Sequence, residues 1–89
     1  MVLRIDFPAL PKDKDLLQMR ADLDDVLEED GWLLASGQSG VGGFVEMELE
    51  DEKINPKYAI LAVKNYLQQA GFVKETTMEI AGAVIGIFE

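Results

Sequence analysis

The chain has no cysteine and no histidine among its 89 residues, and these two absences narrow the chemistry open to it. Without cysteine there is no disulfide framework, no thiol nucleophile and no thiolate metal site. Without histidine the commonest general base and the commonest transition-metal ligand are both missing. The remaining residues contain no visible nucleophile–base pair, so we expect a protein that is not an enzyme and that has no metal site and no cofactor.

Basic residues are scarce, since eight lysines and arginines stand against seventeen aspartates and glutamates, for a net charge of −9. This charge repels nucleic-acid phosphates and anionic lipids over about a Debye length, so we expect no nucleic acid and no membrane among the partners. The acidity is also uneven, because residues 31–52 contain five acids and no base. A basic protein is the partner that such a surface favours.

Long apolar runs are absent as well, and no segment approaches the roughly 20 residues of a membrane span. The first ten residues include Arg4, Asp6 and Pro8, which do not fit the apolar segment of a signal peptide. We therefore expect a cytoplasmic protein. Hydrophobic residues make up 48% of the chain and charged residues 28%, which is typical of one folded domain spanning residues 1–89.

The first third of the chain predicts a strand and a helix. Val2–Phe7 alternates apolar and polar residues, the period of a strand with one buried face. From Lys14 to Asp30 the apolar residues are spaced three and four apart, which predicts one face of a helix. Asp13 or Asp15 is placed to cap the start of this helix, and Gly31 is placed to end it.

The middle of the chain predicts a hairpin. Two short strand patterns, Trp32–Ser36 and Phe44–Glu50, stand on either side of a glycine-rich loop from Gly37 to Gly43. The glycines of this loop are Gly37, Gly40, Gly42 and Gly43.

The last third predicts a second helix and further strand. Asn55-Pro56 is a strong helix start, and the helix is expected to run to about Ala70 and to close at Gly71. The β-branched residues between Thr76 and Glu89 predict strand. Ala81-Gly82 fits either a bulge or a tight turn that divides this segment in two.

The element order β-α-β-β-α-β predicts an α+β protein with the ferredoxin-like architecture, an antiparallel sheet with two helices on one face. The strands of this architecture usually lie in the order 4-1-3-2, which would place Arg4 beside Glu46 or Glu48. The opposite face of the sheet would then have no helix over it.

Four motifs between Gly31 and Gly71 resemble those of a group of known proteins. They are the glycine-rich hairpin, the alternating strand Val45–Glu50, the Asn55–Lys57 helix start and the helix end Leu67–Phe72. Together they resemble small bacterial proteins with a ferredoxin-like fold. The resemblance covers about half of the chain and implies a fold, with no activity attached to it.

The first candidate site is acidic. Glu46, Glu48 and Glu50 alternate along one predicted strand, and we interpret them as a surface for a basic protein partner. Carboxylates spaced along one strand face tend to be too far apart to chelate a single ion, which disfavours a hard metal cation. The ordinary alternative is a solvated sheet face.

Aromatic and aliphatic residues extend this candidate site. Trp32 and Phe44, with Ile85 and Ile87, would form an apolar patch beside the glutamates if they lie on the uncovered face. A slip of one residue in strand register would instead place them in the core. On the first interpretation the patch binds a second copy of the chain or another protein.

The second candidate site is the hairpin loop, where Gly37, Gly40, Gly42 and Gly43 would let backbone N–H groups converge on a small anionic ligand. Known phosphate loops lead from strand to helix, whereas this one joins two strands.

The concentrated acidity and the missing catalytic residues favour a non-enzymatic interaction or regulatory module as the leading hypothesis. Such a module would be homodimeric or bound to a basic partner, as immunity and antitoxin proteins are. The alternative is an ACT-like regulatory domain that binds a small ligand at this loop or at a dimer junction.

Overall fold

A computed structural model describes the whole chain, Met1–Glu89, as two helices and one five-stranded sheet. The elements in chain order are β1 (Val2–Phe7), α1 (Leu16–Leu27), β2 (Gly31–Ser39), β3 (Gly42–Leu49), α2 (Lys57–Ala70), β4 (Thr77–Ile80) and β5 (Ala83–Gly86). The strands lie in the order β2-β3-β1-β4-β5, and every neighbouring pair is antiparallel. The predicted α+β class is confirmed, but the sheet has one strand more than the four predicted.

The extra strand arises because the C-terminal segment is divided by a tight turn. Ala81 and Gly82 both have positive φ, 52° and 83°, as both central residues of a type I′ hairpin turn require. β4 and β5 therefore form a hairpin, and β5 becomes an edge of the sheet. Among the first four strands the neighbours are β4-β1-β3-β2. Arg4 lies opposite Glu46 in the β1–β3 register, which is one of the two neighbours predicted for it.

The core lies on one side of the sheet, because β1 and β3 each bury every second side chain. In β1, Leu3 and Ile5 are fully buried while Arg4 between them is not. The buried core consists of Leu3, Ile5, Phe7, Met19, Leu23, Leu27, Val45, Met47, Leu49, Ala59, Val63, Leu67, Phe72, Met78 and Ile87. Since α1 and α2 both contribute to this one cluster, both helices cover the same face of the sheet. Neither helix has the length and apolarity needed to cross a membrane.

Helix α1 begins where the sequence predicted and ends before the predicted residue. The Asp15 carboxylate accepts a hydrogen bond from the Gln18 N–H at 2.8 Å, which confirms it as the cap. The predicted ending at Gly31 is wrong, because the helix ends at Leu27 and Glu28 takes the positive φ of 52°. Gly31 starts β2 instead, where a Cβ would lie 2.5 Å from the Glu48 carbonyl oxygen, so this position needs glycine for the close approach of two strands.

Helix α2 is bounded by the residues that the sequence indicated. The Asn55 side chain accepts a hydrogen bond from the Lys57 N–H at 3.0 Å. At the other end Gly71 has a φ of 92°, in the left-handed region that ends many helices. Phe72 follows it, is buried, and donates its N–H to the Leu67 carbonyl at 3.2 Å. The Phe72 ring also packs against Tyr66 of the same helix, with ring centroids 6.3 Å apart.

The hairpin between β2 and β3 is longer and tighter than predicted. The strands run to Ser39 and from Gly42, so only Gly40 and Val41 form the turn, and the predicted loop over residues 37–43 is wrong in extent. The β2–β3 register shifts between Leu33 and Ala35, which marks a β-bulge at Leu34.

A polar network that the sequence did not reveal joins the two helices. The Tyr66 hydroxyl of α2 donates a hydrogen bond to Asp22 of α1 at 2.8 Å. Gln18 and Lys14 donate to the same carboxylate at 2.8 Å and 3.0 Å. Hydrogen bonds from Gln18, Tyr66 and Lys14 hold the pKa of the Asp22 carboxyl below its usual range, while burial and the bond to Asp22 raise the pKa of Tyr66. The network therefore favours a charged Asp22 and a neutral Tyr66 in the folded state.

Removing one donor from this network should destabilise the fold. We expect Tyr66→Phe to lower the free energy of unfolding by about 1–2 kcal/mol, because Asp22 loses one of its three side-chain donors inside a half-buried site. Tyr58→Phe is the matched control, since Tyr58 is on the same helix, is 72% exposed and makes no side-chain hydrogen bond. Urea unfolding of both variants at neutral pH measures the difference, and equal stabilities would contradict this role of Tyr66.

The same network gives a pH dependence with a defined sign. The folded-state pKa of Asp22 lies below the ordinary value of 3.8, so its stabilising contribution is present above that value and is lost as the pH falls through the folded pKa. Asp22→Asn should therefore be less stable than the wild type at neutral pH, and the gap should narrow as the pH falls below 3.8. A gap that stays constant through this range in urea unfolding would contradict the pKa assignment.

Candidate functional site

The sheet face without helices, called the open face here, carries most of the charge of the strands. Its charged members are Arg4 and Asp6 of β1, Glu46 and Glu48 of β3, and Glu79 of β4. Arg4 lies between Glu46 on one neighbouring strand and Glu79 on the other. It is the only basic residue in any strand, and the one other cation beside these carboxylates is the Met1 amino group, which pairs with Glu48. Four carboxylates therefore share two cations on this face.

Arg4 is held at the centre of the open face by three neighbours. Its Nε donates to Asp6 at 3.1 Å, and its Nη1 lies 3.6 Å from Glu46 Oε2. The guanidinium carbon lies 4.3 Å above the centroid of the Phe44 ring, a cation–π contact. The hydrogen bond to Asp6 raises the pKa of Arg4 above its usual value. Phe44 is therefore on the open face as the sequence interpretation proposed, but one of its ring faces is covered by Arg4.

Glu48 and Trp32 lie opposite each other at the other end of the open face, on β3 and β2. Trp32 is 51% exposed. Beside them is an open hollow of about 280 Å³, called the acidic hollow here. Its lining consists of Met1, Trp32, Glu48, Leu49, Glu50, Asp51 and Glu52. Glu48 also accepts a hydrogen bond from the Met1 amino group at 2.5 Å, so one of its oxygens is already paired.

Glu50 differs from the two glutamates with which the sequence groups it. It follows the end of β3 at Leu49, and its carboxylate accepts hydrogen bonds from the Glu52 and Lys53 N–H groups at 2.8 Å and 3.3 Å. These two bonds lower the pKa of Glu50. The structure therefore brings Glu46 and Glu48 together on the open face, while Glu50 caps the turn beside the acidic hollow.

Register decides where the C-terminal apolar residues lie. Val84 is opposite Glu79 and 59% exposed, so it belongs to the open face, which the sequence interpretation missed. Ile85 is opposite the buried Met78 and packs against the core, and Ile87 is fully buried. Of the two placements that the sequence left open, Ile85 and Ile87 therefore take the one in the core, because the turn at residues 81–82 fixes that register.

Three of the four glycines proposed as a ligand loop lie inside strands. Gly37 is in β2, Gly42 and Gly43 are in β3, and only Gly40 is in the turn, with a φ of 62°. A Cβ on Gly42 would lie 2.6 Å from the Phe7 carbonyl oxygen, and one on Gly37 would lie 2.8 Å from the Phe44 ring. These positions therefore need glycine for packing. Binding of a small ligand by this hairpin stays a prediction.

Metal ligation requires several side chains that converge. No group of three or more aspartates or glutamates is arranged to hold a metal ion. The carboxylates of the open face are instead spread over three adjacent strands, which suits contacts with several separate cationic groups.

A scan of family models, a search of the curated proteins and a search of the solved structures each found no match to the chain. The function proposed below rests on the positions and charges of the residues themselves.

Loss of the central cation should destabilise the open face in a salt-dependent way. We expect Arg4→Met to lower the free energy of unfolding by about 1 kcal/mol, because the Phe44 contact is lost and Asp6, Glu46 and Glu79 then repel one another without a cation between them. The loss should be larger at low salt, where the repulsion is less screened.

The matched control is Lys57→Met, which removes one positive charge at an exposed residue that makes no ion pair. Urea unfolding at two salt concentrations measures both variants. An Arg4→Met effect no larger than that of Lys57→Met, or independent of salt, would contradict the central role of Arg4.

Proposed function

We propose that this chain is a non-enzymatic protein-interaction module whose open face binds a basic protein partner. The observation that carries the proposal is the arrangement of four carboxylates around one arginine on three adjacent strands. Like charges on neighbouring strands cost free energy unless a cation lies between them. Within the chain only Arg4 and the Met1 amino group, which pairs with one oxygen of Glu48, supply such cations. Lysines or arginines of a partner would therefore be favourably placed beside Glu46, Glu79 and the other oxygen of Glu48.

Apolar side chains at the margins of the open face support a protein as the partner. Val2 is 45% exposed beside Glu48, and Val84 is 59% exposed beside Glu79. Protein interfaces combine apolar contacts with charged groups in this way. A nucleic acid would place phosphates against these carboxylates, which is unfavourable. Complementary charge would mainly accelerate the encounter and select among partners.

We infer a ferredoxin-like architecture as the finer description of the fold, with β5 as an added edge strand. Three observations support it: the neighbours β4-β1-β3-β2, the two helices on one face and the motifs between Gly31 and Gly71. Small acidic proteins of the immunity or antitoxin kind, which neutralise a basic enzyme in the cytoplasm, are one instance of the proposed function. The open face would then be the neutralising surface.

The test compares two triple variants with equal net charge. Glu46→Gln, Glu48→Gln and Glu79→Gln together remove three charges from the open face. Asp13→Asn, Asp25→Asn and Glu29→Gln remove three charges from exposed residues outside it that make no ion pair. Each tagged protein is used to capture partners from the lysate of its own source, and the captured proteins are identified by mass spectrometry.

A basic protein captured by the wild type and by the control variant, but lost with the open-face variant, is the expected result. Association of the purified pair should then be slower by about tenfold or more for the open-face variant, with a weaker dependence on salt. Equal association rates for the two triple variants would show that net charge alone matters, and would contradict a binding role for the open face.

A further inference from the structure

Strand β2 is an uncovered edge of the sheet and lacks the usual protection of such edges. It has nine residues, whereas the opposite edge strand β5 has four. The unpaired N–H and C=O groups of an edge strand can bind another strand. Charged residues, proline or a short length commonly protect edge strands from such pairing. Nothing charged and no proline occurs between Gly31 and Ser39, in a chain with a net charge of −9. Only the bulge at Leu34 interrupts this edge.

Apolar side chains are exposed along the same edge. Trp32 and Leu34 are each 51% exposed, and Leu17 of α1 is 73% exposed. Between α1 and β2 lies a groove of about 550 Å³, called the edge groove here. Its lining consists of Leu17, Arg20, Ala21, Asp24, Trp32 and Leu33. A strand added to β2 would therefore be accompanied by apolar contacts with Leu17 and Ala21 on the helix side of the sheet and with Trp32 at the end of the open face.

The charges beside the edge groove complement each other in a way that fits a second copy of the chain. Arg20 and Asp24 are one turn apart on α1, and neither makes an ion pair within the chain. In a twofold interface residue i of one copy contacts residue j of the other, and j contacts i. Two antiparallel α1 helices would thus form two Arg20–Asp24 pairs between the copies. An interface with one cation and one anion on each copy is self-complementary.

We propose that two copies of this chain associate through antiparallel pairing of their β2 strands, with Trp32 and Leu17 in contact with the partner and Arg20 paired with the partner's Asp24. The two five-stranded sheets would become one continuous sheet. The acidic β3 strands of the two copies would be three strand spacings apart, about 14 Å. This distance exceeds the Debye length of about 8 Å at physiological salt, so their repulsion is screened.

The dimer goes beyond the proposed function. It would cover Trp32 at the β2 end of the open face and leave the part around Arg4 accessible. A twofold axis perpendicular to the continuous sheet would place both open faces on the same side. Glu46 and Glu79 point away from the sheet face rather than along its edge, so pairing at β2 does not cover them. Binding of a basic partner and pairing of β2 are therefore separable in experiments.

The first experiment measures mass and fluorescence of the full chain against concentration. Sedimentation velocity should show a mass that rises from 9.9 kDa toward twice that value, with a dissociation constant of about 1–100 µM, as expected for a small interface. Trp32 is the only tryptophan, so its emission should shift to shorter wavelength over the same concentrations as it leaves water. A monomer with constant emission at all concentrations would overturn the proposal.

The second experiment exchanges the charges at the interface. Arg20→Asp and Asp24→Arg should each weaken dimerisation by about tenfold, because each places like charges opposite each other. The double variant with both substitutions should restore it, since the pairs are then re-formed with reversed sign. Both residues are exposed, and circular dichroism of each variant would check that it is folded. A double variant as weak as the single variants would overturn the Arg20–Asp24 pairing.

Two lysine substitutions test which edge of the sheet forms the dimer interface. Leu34→Lys on β2 should abolish the concentration-dependent mass, whereas Val84→Lys on β5, a residue of similar exposure, should leave it unchanged. The reverse result would place the interface on β5 and overturn the assignment to β2.

Discussion

In the two central strands, β1 and β3, every second side chain is apolar and buried, and those between them face water. Both helices contribute to the core formed by the buried set, so they share one side of the sheet. The charged residues of these strands can then lie only on the other side. Because β4 pairs with β1 in a register that places Glu79 opposite Arg4, the acids of three strands converge around one arginine. The core and the candidate site are two consequences of the same alternation.

This arrangement explains how an acidic surface is compatible with a stable small fold. The carboxylates of the open face are solvated, and Arg4 offsets part of their repulsion through Asp6 and Glu46. The remaining repulsion is relieved when a cationic surface approaches, which is the physical basis of the proposed function. The edge at β2 is the contrasting surface, since its strand contains no charged residue and exposes Trp32 and Leu34. Under the two proposals, the first surface would bind a basic partner and the second would bind another copy of the chain.

Local features of the fold could be predicted from the sequence. The alternation in β1, the cap at Asp15 and the helix end at Gly71 depend on residues close together in the chain, and all three are confirmed. The α+β class follows from the order of these elements. Glu46 and Glu48 were also placed correctly on a common strand face, because a strand alternates its side chains with a period of two.

The features that the sequence did not reveal depend on register or on distant contacts. The sequence left a bulge and a tight turn at Ala81-Gly82 open. The positive φ of Ala81, rare for a residue other than glycine, gives the turn, and the resulting register places Ile87 in the core and exposes Val84. Asp22 and Tyr66 are 44 positions apart, so the sequence around either residue does not indicate that their side chains form a hydrogen bond. The most direct test of the open face as the binding surface is amide chemical-shift mapping of the isotope-labelled protein during titration with a short oligolysine peptide. We expect the largest shifts in β1, β3 and β4 around Arg4, whereas shifts concentrated on the acidic residues of α1 would contradict this assignment.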